Sequence, residues 1–140
     1  MRIRIYILAL QPISKEELLR NSDFVSIHIP LDESTKHFIG KKEFDMMKSS
    51  ACIINAARGA IIDEDAMADA LKNGKIAGAG LDVFSKEPLP LDSDLAKLKN
   101  VVITPHTAFY TAEALERLYS RCIGNVEDFL SGKKSNVVNR

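Results

Sequence analysis

Residues 51–84 read ACIINAARGAIIDEDAMADALKNGKIAGAGLDVF, and their pattern decides the fold. ACIINAA (51–57) is a nearly unbroken apolar run, which predicts a strand buried on both faces. Asp63 stands where an N-cap belongs, and Ala66, Met67, Ala70 and Leu71 recur at helical spacing over 64–73. Asn73-Gly74 supplies the stop. KIAGAGLDVF (75–84) is a second strand, whose glycines admit close backbone approach. Two strands joined through a helix run parallel, because the crossover returns the chain to the end it started from.

The alternation continues in both directions. Upstream, ISKEELL predicts a short helix ending near Asn21, with Ser14 as N-cap, Glu17 completing a capping box and Ile13 and Leu18 as a staple. DFVSIHIP (23–30) is a strand stopped by Pro30, and KKEFDMMK (41–48) is a short helix burying Phe44 and Met47. Residues 2–10 carry β-branched and aromatic residues in partial alternation and predict a further strand. Downstream, SKEPLPLDSDLAKLKN is a proline-rich loop with one helical turn, and VVIT (101–104) is the last strand. A long helix over 111–131 follows, with Leu115, Leu118, Tyr119, Cys122, Val126, Phe129 and Leu130 at helical spacing and Gly132 as its stop. The whole is an α/β chain, a mostly parallel sheet flanked by helices within a single domain.

Composition excludes several classes of function. Nineteen basic residues balance nineteen acidic ones, so nothing marks a nucleic-acid or membrane-surface binder. No apolar run approaches membrane-spanning length, and MRIRIYILAL reads as a strand because it alternates and lacks a cleavage site. The two cysteines, Cys52 and Cys122, read as small buried hydrophobes in a reducing, cytoplasmic protein. No second thiol or histidine stands at metal-ligand spacing from either.

In open α/β sheets ligands bind beyond the carboxyl ends of the strands. ACIINAA is followed at once by Arg58, the strand ending LDVF by Glu87, and VVIT by His106, while Asp82 closes its own strand. Alone, Arg58 and Glu87 read as solvated groups and His106 as a satisfied polar residue. Their shared edge makes them a candidate site. A guanidinium forks onto a carboxylate, a histidine exchanges a proton near neutral pH, and a carboxylate orients the ring and favours its protonated form. That set suits interconversion of a 2-hydroxy and a 2-oxo acid, with the hydride carried by a nicotinamide cofactor. Among the other histidines, His28 stands inside an apolar strand, where a hydrogen-bonded core position and an adenine-side contact are both open, and His37 lies in a polar loop. Phe109-Tyr110 either lines a substrate pocket or packs the start of the last helix.

SDFVSIHIPLDESTKHFIG, INAARGAIIDEDAMADALKNGKIAGAGLDVFSKEPLP and NVVITPHTAFYT together resemble the D-isomer-specific 2-hydroxyacid dehydrogenases over about residues 14–138. HTAFYT resembles the D-lactate dehydrogenase branch, whereas KEPLPLDSDLAKLKN is common across the wider family. By motif position the resemblance implies that Arg58 binds the substrate carboxylate and carbonyl, that His106 is the general acid/base and that Glu87 is its carboxylate partner. It implies that Asp82 lies near the nicotinamide carboxamide, that Ala56 and Ala57 contribute backbone contacts near the nicotinamide ribose, and that Ile29, Pro30 and Thr35 line the adenine-ribose side. It further implies a small 2-oxo or 2-hydroxy acid as substrate, NAD as cofactor and a homodimer.

Two family features are missing from the 140 residues. There is no separate substrate domain and no G-x-G-x-x-G turn, since the only G-x-G, Gly78-Ala79-Gly80, has Val83 at the third position. The expectation is an incomplete Rossmann-like domain lacking its first βαβ unit, with weakened cofactor binding and no turnover alone. The residues that would choose between NAD and NADP belong to that missing unit. A non-catalytic binding or dimerisation module is the alternative, and a separate chain supplying the missing half is a third possibility.

Overall fold

The computed structural model describes residues 11–137; the strand expected over 2–10 lies outside them. The described residues fall into two compact units, divided between Pro105 and His106.

In the first unit, α1 (Lys15–Asn21) precedes β1 (Phe24–Ile27), α2 (Lys41–Phe44) and β2 (Cys52–Asn55). A 3-10 turn (Gly59–Ile61) leads into α3 (Glu64–Lys72), followed by β3 (Gly78–Leu81), α4 (Asp94–Lys97) and β4 (Val101–Ile103). The four strands lie in sequence order and every pairing is parallel. The α/β reading therefore holds, and so do the helix starts. Ser14 Oγ accepts the Glu17 N–H at 3.1 Å, and Asp63 Oδ1 accepts the Ala66 N–H at 3.1 Å.

Burial corrects one expectation. Register aligns Val25, Ile53, Ala79 and Val101 on one face and Ser26, Ile54, Gly80 and Val102 on the other. The first face joins a core with Leu19 of α1, Phe44 of α2, Met67 and Leu71 of α3, and Leu95 of α4. The second face keeps Phe24 72% and Val102 69% exposed, and Ile54 is exposed as well. Successive strand residues point to opposite faces, so β2 is buried on one side and not on both. An apolar run records what a strand tolerates, and the covering of a face depends on which helices reach it. Cys52 is half-buried and Cys122 exposed, which corrects the reading of both as buried; both are free thiols. The Ile13–Leu18 staple is also loose, because both residues remain partly exposed while Leu19 takes the core position.

The second unit holds α5 (Ala112–Leu130), N-capped by Thr111 Oγ1, which accepts the Ala114 N–H at 3.1 Å. Gly132 follows its end at φ 77°, the left-handed stop expected from sequence. No residue of α5 is buried, and its apolar stripe includes Leu118, Tyr119, Ile123, Val126 and Phe129.

One ion pair ties α1 to α2. Lys15 Nζ donates to Glu43 Oε1 at 2.9 Å, and Glu43 Oε2 accepts the Gly40 N–H at 3.1 Å. Burial raises the Glu43 carboxyl's pKa, but the Lys15 and Gly40 hydrogen bonds outweigh it, and the net shift is downward. A depressed carboxylate pKa contributes stability that is present above the unfolded-state value and lost as pH falls through the folded value. Lys15→Met should therefore destabilise the chain by about 0.5–1 kcal/mol at neutral pH. That difference should disappear below the folded-state pKa of Glu43. Urea unfolding of both chains over a pH series descending from about 7 checks it.

Candidate functional site

The carboxyl ends of all four parallel strands lie at one edge of the sheet. Beyond β1 and β2 is a groove of about 530 Å³, lined by residues 28–31 and 56–58. Four of the expected positions meet there, namely Ile29, Pro30, Ala56 and Ala57, together with Arg58. The lining side chains are mostly small or apolar, so a flat ring can reach the backbone, and Arg58 is the one full cation among them. These features fit the nucleoside parts of a dinucleotide; a pyrophosphate cradle is not among them.

His28 lines the same groove just past the end of β1. It is exposed, with a ring nitrogen 2.8 Å from Ser26 Oγ, so it is hydrogen-bonded but not in the core. Thr35 is absent from the lining. Its hydroxyl donates to the Pro30 carbonyl at 2.8 Å and accepts the Asp32 N–H at 2.8 Å, which folds the 30–35 turn. Asp32 accepts from the Ser34 hydroxyl and N–H in the same turn, and these bonds hold its carboxyl below the usual range.

Arg58 is exposed and donates from Nη1 to the Ala57 carbonyl at 2.6 Å. A guanidinium has five N–H donors, so most of its fork remains for a ligand. The turn that carries it is held from within: Asn55, 1% exposed, accepts the Ala57 N–H at 3.0 Å and donates to the Arg58 carbonyl at 3.0 Å.

The loop after β3 is pressed against this turn. A Cβ on Gly59 would fall 1.9 Å from the Phe84 carbonyl carbon and 2.3 Å from the Ser85 nitrogen. Only glycine allows two backbones to lie this close. The Phe84 N–H donates to Glu87 Oε1 at 2.9 Å, and the Ser85 N–H donates to Glu64 Oε1 of α3 at 2.5 Å. The Glu87 loop is thereby fastened to the Arg58 turn on one side and to the start of α3 on the other. Asp82 is buried at the end of β3, accepting from Thr104 Oγ1 at 2.5 Å.

His106 begins the second unit, with a left-handed backbone at φ 57°. Histidine enters that region more readily than most residues, but it is uncommon and marks a tight local turn. The Tyr110 N–H donates to the Thr107 carbonyl at 2.8 Å, and the Phe109 and Tyr110 rings meet edge to face with centroids 5.9 Å apart. Both rings remain exposed.

Sequence reasoning missed Asn55, Gly59 and Glu64. Asn55 was visible as a polar residue inside an apolar run, a pattern that asks for a buried partner. The roles of Gly59 and Glu64 depend on a contact with residues 84–85, more than twenty positions away, and carried no local signal.

A sequence model described as D-isomer specific 2-hydroxyacid dehydrogenase, NAD binding domain, matches residues 4–108. The chain belongs to that family. It is 44% identical over 134 residues to a glyoxylate reductase of Korarchaeum cryptofilum, covering 95% of this chain and 40% of the relative. It is 48% identical over 126 residues to a glyoxylate reductase of Thermococcus litoralis, covering 89% and 38%. Among solved structures, the NAD-complexed D-isomer specific 2-hydroxyacid dehydrogenase of Lactobacillus delbrueckii ssp. bulgaricus superposes with a TM-score of 0.78 at 39% identity, covering 89% of this chain and 42% of that one. The chain thus spans about 40% of the length of the family members it matches. Among the described residues no helix is long and apolar enough to cross a membrane, and no cluster of side chains could hold a metal ion.

Gly59→Ala should destabilise the chain by at least about 3 kcal/mol, because the clash is with backbone that has no rotamer to yield. Ala60→Gly, one residue on, should cost under about 1 kcal/mol. Thermal unfolding of the two variants separates the contact from general sensitivity of the turn; equal losses would count against it.

Proposed function

We propose that the chain forms part of an NAD-dependent oxidoreductase that interconverts a small 2-hydroxy acid and its 2-oxo acid. The observation that carries this reading is the groove beyond β1 and β2 with Arg58 at its rim, in a chain of the dehydrogenase family. Ile29 and Pro30 would line the adenine-ribose side, Ala56 and Ala57 would lie near the nicotinamide ribose, and Asp82 would face the carboxamide. A bound nicotinamide would supply the hydride, which no side chain carries. Arg58 would grip the substrate carboxylate through its parallel N–H donors, which fixes the acid and turns its reacting carbon toward the groove. The roles of His106, as the group that gives or takes the hydroxyl proton, and of Glu87, as its carboxylate partner, rest on their motif positions. Thr35 would act through the Pro30 turn that it folds. We place the protein in the cytoplasm on its two free thiols and expect a homodimer.

A second reading, a non-catalytic dimerisation module of the same descent, is favoured by the exposed apolar stripe of α5. The two readings part on cofactor binding. The 140 residues contain no G-x-G-x-x-G turn, and three lost backbone contacts at about 1.4 kcal/mol each weaken affinity about a thousandfold. A cofactor ordinarily bound at micromolar concentration would then bind at about 1 mM. Fluorescence titration should find NADH binding in that range, without turnover of pyruvate or glyoxylate. A dimer that ignores millimolar NADH and tolerates His106→Ala favours the module. NADH-dependent reduction of a 2-oxo acid by the pure chain would overturn the expectation that these residues lack a working cradle.

A further inference from the structure

We infer that Asn55 is a positioning residue for Arg58, fixing the direction in which the guanidinium leaves the sheet; the inference rests on the reading of Arg58 as the carboxylate-binding group. Asn55 is the last residue of β2, and its side chain lies on the core face at 1% exposure. It is one of two buried polar or charged residues in the described chain. Such a group persists in a core only when its hydrogen bonds are made, and the partners it has chosen are informative. Both belong to the three residues that follow it. Oδ1 accepts from the Ala57 N–H and Nδ2 donates to the Arg58 carbonyl, each at 3.0 Å. One amide therefore holds the backbone on either side of the Ala57–Arg58 peptide, as a backbone partner would in a regular turn.

The consequence reaches the side chain. The carbonyl of Arg58 is fixed by Asn55, and the next residue is fixed by the Gly59 contact with Phe84 and Ser85. The Cα–Cβ direction of Arg58 is set between those two anchors while the side chain itself stays exposed. A side chain with many rotamers loses less freedom on binding when its root is already fixed. The Ala57 N–H is also spent on Asn55, so the cofactor contacts expected of Ala57 fall to its other atoms.

The test uses the 140-residue chain, NMR of its amides and arginine side chains, and oxamate with NADH present as the anion probe. In Asn55→Ala the heteronuclear NOE of Ala57 and Arg58 should fall to values typical of a mobile loop, while Ile53 and Leu81 stay as in the wild type. Oxamate affinity, read from the Arg58 Nε–Hε shift, should weaken about tenfold, the loss expected for one good hydrogen bond. A merely structural role would lower order throughout the sheet or nowhere. Unchanged order at Ala57 and Arg58, or lost order with unchanged oxamate affinity, overturns the inference. If oxamate leaves the wild type unshifted, the carboxylate-binding reading of Arg58 fails, and the positioning claim is decided by the NOE alone. Should Asn55→Ala not fold, Asn55→Asp is judged by the same criteria. It keeps the acceptor for the Ala57 N–H and sets a carboxylate oxygen against the Arg58 carbonyl, so the loss should centre on Arg58.

Discussion

No side chain fits at residue 59. The backbone there lies against the Phe84–Ser85 backbone so closely that a single methyl group would sit 1.9 Å from a carbonyl carbon. The rest of the candidate site follows from that contact. It joins the turn after β2 to the loop after β3, and with them the segments that carry Arg58 and Glu87. It also starts the 3-10 turn that feeds α3, whose first residue, Glu64, reaches back to the Ser85 N–H. The contact joins the two loops into one rim. On the proposed function a rim of this kind would hold the acid in one pose, and positional error is costly in hydride and proton transfer.

The rim is assembled mainly from backbone groups held by a few side chains. Asn55 serves the Ala57–Arg58 peptide, Thr35 serves the Pro30–Asp32 turn, and Glu64 serves Ser85. None of the three needs to touch a ligand. Their arrangement leaves the residues that face the groove mostly small or apolar, with Arg58 among them. The shape of the site is thus separated from its chemistry, which is how one α/β scaffold can serve many reactions.

Much of this was legible in the chain itself. Ser14, Asp63 and Gly132 mark helix boundaries because capping is local chemistry, and the helical spacing over 64–73 found α3 because a helix records its buried face every three or four residues. Arg58, Glu87 and His106 stood out because parallel sheets collect ligands at one edge. The errors have a common source. ACIINAA shows that both faces of β2 are apolar but not that only one is covered, and Ile54 is the residue that exposes the difference. The same limit hid Gly59, since nothing near it in sequence announces Phe84. His28 was ambiguous between core and groove because an alternating strand assigns its face only once its end is known. That end falls at Ile27 and releases His28 into the groove.

The central claim is that the edge beyond β1 and β2 receives the cofactor. The most direct measurement is an amide shift map of the ¹⁵N-labelled chain with millimolar NADH. Shifts concentrated at residues 28–31 and 56–59, in proportion to added NADH, are the predicted result. Their absence there, or shifts confined to residues 112–130, would contradict it.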